Sequence, residues 1–171
     1  GMLMPQSGTN LEIMALMLDS VYTEAQNAGI VTPQSNVSLN LAGDLRYFES
    51  RLSKRKNMEL EQTKTVLFML ETAAVHYTNP ERSGWFGGLI YTRSVELKGH
   101  WFTAENGRRE FLQQYTDRIP EDSIALVEQS YLPVSVGIKE EPGLITGYAV
   151  EITAAVVTAV AAYLFYSVRS K

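Results

Sequence analysis

Seventeen consecutive residues near the end of the printed sequence, Ile152 to Val168, carry no charge. Arg169 and Lys171 follow at once, and only Glu151 is charged if the stretch is extended back to Leu144. Such a stretch has to be buried, because apolar surface in contact with water is unfavourable. Its own chain, a second copy of the chain or lipid could bury it, since about 20 mainly apolar residues span a bilayer as a helix.

The composition of this stretch favours burial by protein over burial by lipid. Alanine and threonine make up much of it, and they gain little from hydrocarbon. Glu151 inside hydrocarbon would cost about 2.5–3.5 kcal/mol. A helix that is hydrophobic on all sides is typical of the centre of a helical protein. We therefore expect a hydrophobic C-terminal helix in the core or at a subunit interface. Membrane insertion, with Tyr163 and Tyr166 at the interface, is the alternative.

Helical spacing of apolar residues recurs along the rest of the chain. Thr9 to Ala28 has a capping residue, Glu12 in its first turn and Gly29 at its end, which together predict a helix. Further helices are predicted over Asn36 to Tyr77 (one helix, or two with a break near Asn57), Arg108 to Arg118, Pro120 to Tyr131, and Leu144 or Gly147 to Ser167.

These elements predict a mainly α fold, a single-domain helical bundle (residues 2–171) around the apolar C-terminal helix, with Gly1 read as a tag remnant. The ambiguous range is Leu89 to Thr103, which is rich in β-branched and aromatic residues. The alternative is therefore an α+β fold with a small hairpin at 89–103, turning at Lys98 and Gly99 and pairing with Val134 to Ile138. Trp85 to Gly88 is predicted to be a loop with buried aromatic side chains.

The composition excludes several classes of protein. The chain has no cysteine, which excludes disulfide scaffolds and cysteine zinc sites. Its net charge of −4 argues against nucleic-acid binding, because nucleic-acid-binding domains are usually basic. The first residues show no signal peptide, and together with the lack of cysteine this favours a cytoplasmic location.

The sequence contains no assembled catalytic motif. Phosphate-binding glycine loops and the nucleophile elbow of hydrolases are absent. We therefore predict no catalytic residue, no metal site and no cofactor. Aromatic residues around the second histidine of the chain are the best candidates for a ligand pocket. The pocket candidates are Trp85, Tyr91, Glu96, His100 and Trp101.

Four basic residues lie within six positions, at Arg51, Lys54, Arg55 and Lys56. They are candidates for a patch that binds an anion or a partner. Glu49, Glu59 and Glu61 lie close by in the sequence, so a solvated surface with local ion pairs is the favoured interpretation of the same residues.

For function, these observations favour a non-enzymatic interaction or regulatory protein that binds a protein partner or itself as a homo-oligomer. A protein that inserts its last helix into a membrane is the second hypothesis. A small-molecule binder or enzyme centred on the aromatic and histidine residues is the third. The sequence names no ligand, partner or pathway.

Overall fold

The computed structural model describes residues 8–55, 61 and 63–141, and within them the chain is mainly β. Helix α1 (Asn10–Asn27) is followed by β1 (Ser35–Leu41), a 3-10 helix (Gly43–Phe48), α2 (Glu49–Ser53), β2 (Lys64–Arg82), β3 (Leu89–Thr103) and β4 (Gly107–Pro120). The chain continues through a 3-10 helix (Glu121–Ser123), α3 (Ile124–Val127), a second 3-10 helix (Pro133–Ser135) and β5 (Ile138–Lys139).

The four long strands form one mixed sheet in the order β1-β2-β3-β4. β1 runs parallel to β2, whereas β3 runs antiparallel to both of its neighbours, β2 and β4. β5 pairs with β2 in parallel, through His76 with Ile138 and Tyr77 with Lys139. β3 therefore lies in the interior of the sheet with a partner along both sides.

Helix α1 packs on one face of the sheet and closes the core. The predicted helix is confirmed: Thr9 caps it, and Thr9 and Glu12 exchange the two hydrogen bonds of a capping box. Tyr22 of the helix meets Trp101 of β3 edge to face, with ring centroids 5.6 Å apart. The other face of β3 carries Thr92, Ser94, Glu96 and Lys98, the alternation expected of a sheet with one face toward the core.

The predicted helical bundle is wrong, and β2 shows why. Val66, Leu70, Ala74 and Tyr77 are spaced by three or four residues, as on a helix face. In β2, however, buried residues alternate from Val66 to Leu70, and a β-bulge at Glu71 then shifts the alternation to Val75 and Tyr77. The bulge moves the core-facing positions from even to odd residue numbers. Apolar residues taken from both sides of the bulge therefore show the spacing of three or four residues that is typical of a helix.

The other predicted elements need similar corrections. The range 108–118 lies in β4, not in a helix, because its backbone pairs with β3 along its whole length. The small hairpin expected at 89–103 is also wrong: this range is one strand with no turn at Gly99. Residues 120–131 contain only short helices, which end where Glu128 is extended (φ −100°, ψ 154°). The extended segment expected at 134–138 begins as a 3-10 helix, and its strand pairs with β2.

The apolar stretch Ile152 to Val168, with the predicted C-terminal helix, lies outside the described residues. The core built by the described residues is formed by α1, the strands and the short helices. A bundle wrapped around the C-terminal stretch is therefore not the architecture. Among the helices of the described residues, none combines the length and apolar character needed to cross a bilayer.

Candidate functional site

The five predicted pocket residues are not brought together. Tyr91 and Trp101 lie on the core face of β3 and are buried. Glu96 and His100 occupy positions of the opposite parity, so their side chains leave the other face of the strand. Trp85 lies in the loop between β2 and β3. The alternation along β3 therefore separates side chains that are close in sequence.

His100 takes part in a small charged cluster. Its Nδ1 lies 2.7 Å from Oε1 of Glu71, the residue of the β2 bulge. This hydrogen bond requires the His100 tautomer that carries a proton on Nδ1, because a carboxylate only accepts. Arg108 donates to the same Glu71 oxygen at 3.1 Å and also lies 3.2 Å from Glu110. Among the described residues, the hydrogen-bond partner of the His100 ring is the Glu71 carboxylate.

The predicted basic patch is largely paired inside the molecule. Arg51 binds both carboxylate oxygens of Asp19, at 2.5 and 3.3 Å. Arg55 donates to the Asp19 carbonyl at 3.4 Å and lies 4.8 Å above the ring of Tyr22. Lys54 is exposed, and Lys56 lies outside the described residues. The two arginines thus fasten α2 and the residues after it to α1.

A groove of about 740 Å³ runs between α1 and the short helices at 43–53. Its wall includes Arg51 and Lys54, but also the carboxylate of Glu12, which is engaged in the helix cap. The charges on its wall are therefore mixed, and the arginine is already neutralised by Asp19. The groove does not have the concentrated positive charge that binds anions.

Among the described residues, a buried polar network surrounds Arg93, a residue that is not among the sequence-based candidates. Arg93 is fully buried, and its Nε and Nη2 donate hydrogen bonds to the two carboxylate oxygens of Asp117, at 2.8 and 2.5 Å. Its Nη1 donates to the carbonyl of Gly8 at 2.8 Å and to the side-chain oxygen of Asn10 at 3.1 Å. Asn10 in turn donates to the Tyr77 hydroxyl and the Ser135 carbonyl, both at 2.8 Å.

This network fixes the start of α1 to β2, β3, β4 and the segment before β5. Burial raises the pKa of Tyr77 well above the usual value for tyrosine, and nearby Glu128 acts in the same direction. The Tyr77 hydroxyl therefore stays protonated to a more alkaline pH than that of an exposed tyrosine. The sequence indicates this burial of Arg93. In β3, Arg93 is an even number of residues from Tyr91, Val95 and Leu97, so its side chain lies on the same face of the strand as these buried side chains.

The hairpin tip, defined as Ser83 to Gly88, joins β2 to β3 and presents two aromatic side chains to solvent. Trp85 is 94% exposed and Phe86 is fully exposed, so the prediction that these aromatic residues are buried is wrong. The backbone explains the geometry. Ser83 donates to the carbonyl of Gly88 at 3.0 Å, and Gly84 has a positive φ of 77°. A Cβ at Gly87 would collide with the backbone carbonyl of Ser83, so the tight turn requires glycine there.

The described residues contain no group of three or more histidine, aspartate or glutamate side chains placed to hold a metal ion. Comparison with protein-family models, curated proteins and solved structures found no match to the chain.

Proposed function

We propose that this protein is a non-enzymatic interaction domain that binds its partner through the hairpin tip. The observation that carries the proposal is the exposure of Trp85 and Phe86 side by side at the end of a long hairpin. Within the described residues nothing covers these rings, and burial of apolar surface on a partner is favourable.

The size of the exposed surface supports this proposal. A tryptophan and a phenylalanine each bring about 150–250 Å² of surface to a contact. Together they approach the few hundred Å² of the largest apolar patch on a typical monomer, which is often functional. Tryptophan is also enriched among the residues that dominate binding energy at interfaces.

The hairpin itself suits a binding element. β2 and β3 pair antiparallel up to Arg82 and Leu89, directly beside the tip. β4 flanks β3 as far as Ile90. Three paired strands therefore hold the two ends of the tip in place. We expect its backbone to need little ordering on binding, and a preorganised contact costs less free energy to form.

The non-enzymatic part of the proposal follows from the polar groups of the described residues. Arg51 and Arg55 are engaged with Asp19, and Arg93 with Asp117. His100 is engaged with Glu71. These pairs hold elements of the fold together and do not converge on a shared cleft. A cytoplasmic location, argued from the absence of cysteine, is part of the same proposal.

Site-specific photocrosslinking in expressing cells tests the proposal without knowledge of the partner. A photoreactive benzoyl-phenylalanine replaces Trp85 in the full-length chain, and irradiation joins this side chain to whatever molecule contacts it. We expect a specific adduct, whose mass distinguishes a second copy of the chain, another protein and lipid.

The matched control places the same photoreactive residue at Phe102. Phe102 is 48% exposed and lies at the opposite end of β3, so it is an accessible aromatic position away from the tip. Equal adduct yields from the two positions, or no adduct from position 85, would contradict a binding role of the tip.

A further inference from the structure

The two edges of the sheet differ in how they are protected. On one side, β1 covers seven residues of β2 and β5 covers two, and β2 has register shifts at Glu71 and between Thr78 and Glu81. On the other side, β4 pairs with β3 over fourteen residues without a register shift, and its only proline is its last residue, Pro120. Short strands, bulges and prolines are common protections of a sheet edge against pairing with another chain, and β4 has none of these before its end.

The outer side of β4 presents a regular row of backbone donors and acceptors. Every second residue of an antiparallel strand directs its N–H and C=O away from the neighbouring strand. Within the described residues, β3 is the one strand that pairs with β4, and the hydrogen bonds of turns and loops do not involve the backbone of residues 107–120. A further strand along this side would therefore continue the sheet.

The middle of β4 is uncharged, and its charged residues lie at the two ends. Residues 111–116 carry no charge. The charged residues before this stretch are Arg108, Arg109 and Glu110, and those after it are Asp117 and Arg118. Because an antiparallel partner runs in the reverse direction, the start of one β4 would lie opposite the end of a second β4.

An antiparallel pair of β4 strands centred on Gln113 matches the residues that face the side of α1. In this register Arg109 lies opposite Asp117 of the second copy, and Phe111 lies opposite Tyr115 of the second copy. Opposite charges and aromatic pairs directly across two strands stabilise their pairing. Two-fold symmetry repeats each of these pairs, so the sequence of β4 is complementary to itself.

Asp117 has the capacity for this additional contact. Its Oδ1 accepts one hydrogen bond, from Nε of Arg93, and its Oδ2 accepts from Arg93 and from the Tyr115 hydroxyl. The two oxygens of a carboxylate have about four acceptor positions in total. Oδ1 can therefore accept a further hydrogen bond from Arg109 of a second copy, whose side chain is exposed.

On the other face, the same register brings Arg118 opposite Arg108 of the second copy. Each arginine already has a carboxylate partner, because Arg118 lies 2.6 Å from Glu81 and Arg108 lies 3.1 Å from Glu71 and 3.2 Å from Glu110. The two arginine side chains are also 59% and 54% exposed, so water and salt screen their repulsion. This pair therefore does not prevent the pairing of the strands.

The length of the shared segment is sufficient for a specific contact. Residues 109–117 of the two copies lie opposite each other in this register. An antiparallel pair of this length forms about eight to ten backbone hydrogen bonds. A typical protein interface contains about 10 ± 5 direct hydrogen bonds, so the ladder alone reaches that number.

From these observations we infer that the free edge of β4 binds the β4 strand of a second copy of this chain, in a two-fold symmetric dimer with one continuous sheet. This dimer goes beyond the proposed role of the hairpin tip. The edge is formed by β4 and the tip by residues 83–88, so each contact can be tested without the other.

Single-cysteine cross-linking of the full-length chain tests the dimer and its register, because the chain has no cysteine of its own. In Q113C the two equivalent Cα atoms would be about 4.5–5.5 Å apart, within the range of about 4.4–6.8 Å for disulfides. In the control variants L112C and Q114C the two equivalent Cα atoms would be offset by two residues and about 8 Å apart. We expect Q113C to form a disulfide-linked dimer under mild oxidation, and both controls to stay largely monomeric on a non-reducing gel.

Charge reversal at Arg109 gives a second test, measured by sedimentation velocity. R109D replaces two pairs of opposite charge by two pairs of like charge, and we expect it to raise the Kd of the dimer by about tenfold or more. R46D is the matched control: it makes the same change in net charge at an exposed position of the 3-10 helix that follows β1, on the other side of the sheet. R46D should leave the dimer unchanged.

Three results would overturn the inference. The first is a full-length chain that sediments as a monomer throughout the micromolar range. The second is cross-linking that is equal at the three cysteine positions or fastest at position 112 or 114, because neither fits a pair of strands centred on Gln113. The third is a dimer that R109D leaves as stable as R46D does.

Discussion

At the residue scale, Arg93 shows how one buried charge can organise several elements. A fully buried guanidinium is tolerated because Asp117, Asn10 and the Gly8 carbonyl together satisfy its donors. Removing one partner of such a pair leaves an uncompensated buried charge, which typically costs about 3–5 kcal/mol. Surface ion pairs contribute only about 0–1 kcal/mol, because water already solvates both partners.

We predict that R93M lowers the free energy of unfolding by about 3–5 kcal/mol, because Asp117 and Asn10 lose their partner. Urea denaturation followed by circular dichroism measures this change. The control is R118M, which removes a surface pair with Glu81 from a side chain that is 59% exposed. The network would be dispensable if both variants lost the same small amount of stability.

At the scale of elements, the bulge of β2 depends on a glycine in the neighbouring strand. Gly99 faces Leu70, next to the bulged residue Glu71. A Cβ at Gly99 would collide with the Met69 carbonyl oxygen and would lie 2.7 Å from the Phe111 ring. The absence of a side chain thus lets β2 and β3 approach at the point where the alternation of β2 changes.

We predict that G99A destabilises the protein by about 1–3 kcal/mol, the usual cost of overpacking a well-packed site. Thermal unfolding measures the effect, and G88A is the matched control because a Cβ there meets no atom within 4 Å. A melting temperature of G99A equal to that of G88A would show that the strands adjust without cost.

At the scale of the whole molecule, the arrangement of the core predicts which part of the chain is needed for folding. The buried apolar residues extend from Leu11 to Val127, and the hydrogen bonds of Ser135 and Glu140 tie the following segment to them. A chain that ends at Glu141 keeps all of these interactions.

We predict that this shortened chain unfolds cooperatively, with a free energy of unfolding within about 1 kcal/mol of that of the full-length protein. Circular dichroism and urea denaturation test this. A chain that ends at Val127 is the contrasting variant, because it loses Ser135, β5 and their bonds to Asn10 and Tyr77, and it should be clearly less stable. Aggregation of the chain ending at Glu141 would show instead that the missing residues complete the core.

Features that depend on nearby residues were predictable from the sequence, whereas features that depend on a partner strand were not. The N-terminal cap of α1, with Thr9 and Glu12, was predictable, because it depends on contacts within a few residues. The alternation that places Arg93 among buried residues was also present in the sequence but was overlooked. The bulge at Glu71 was not predictable, because a register shift is defined only relative to the partner strand.

The sequence by itself therefore determined α1 and the glycine-rich loop between β2 and β3, since local backbone preferences and short-range hydrogen bonds decide such features. Only the tertiary structure decided that β2 and β4 are strands, that Trp101 is in the core and that Trp85 is exposed at the tip. The physical reason is that strand pairing links residues far apart in the chain. The free energy of those nonlocal contacts outweighs the helical spacing that the same residues show in sequence.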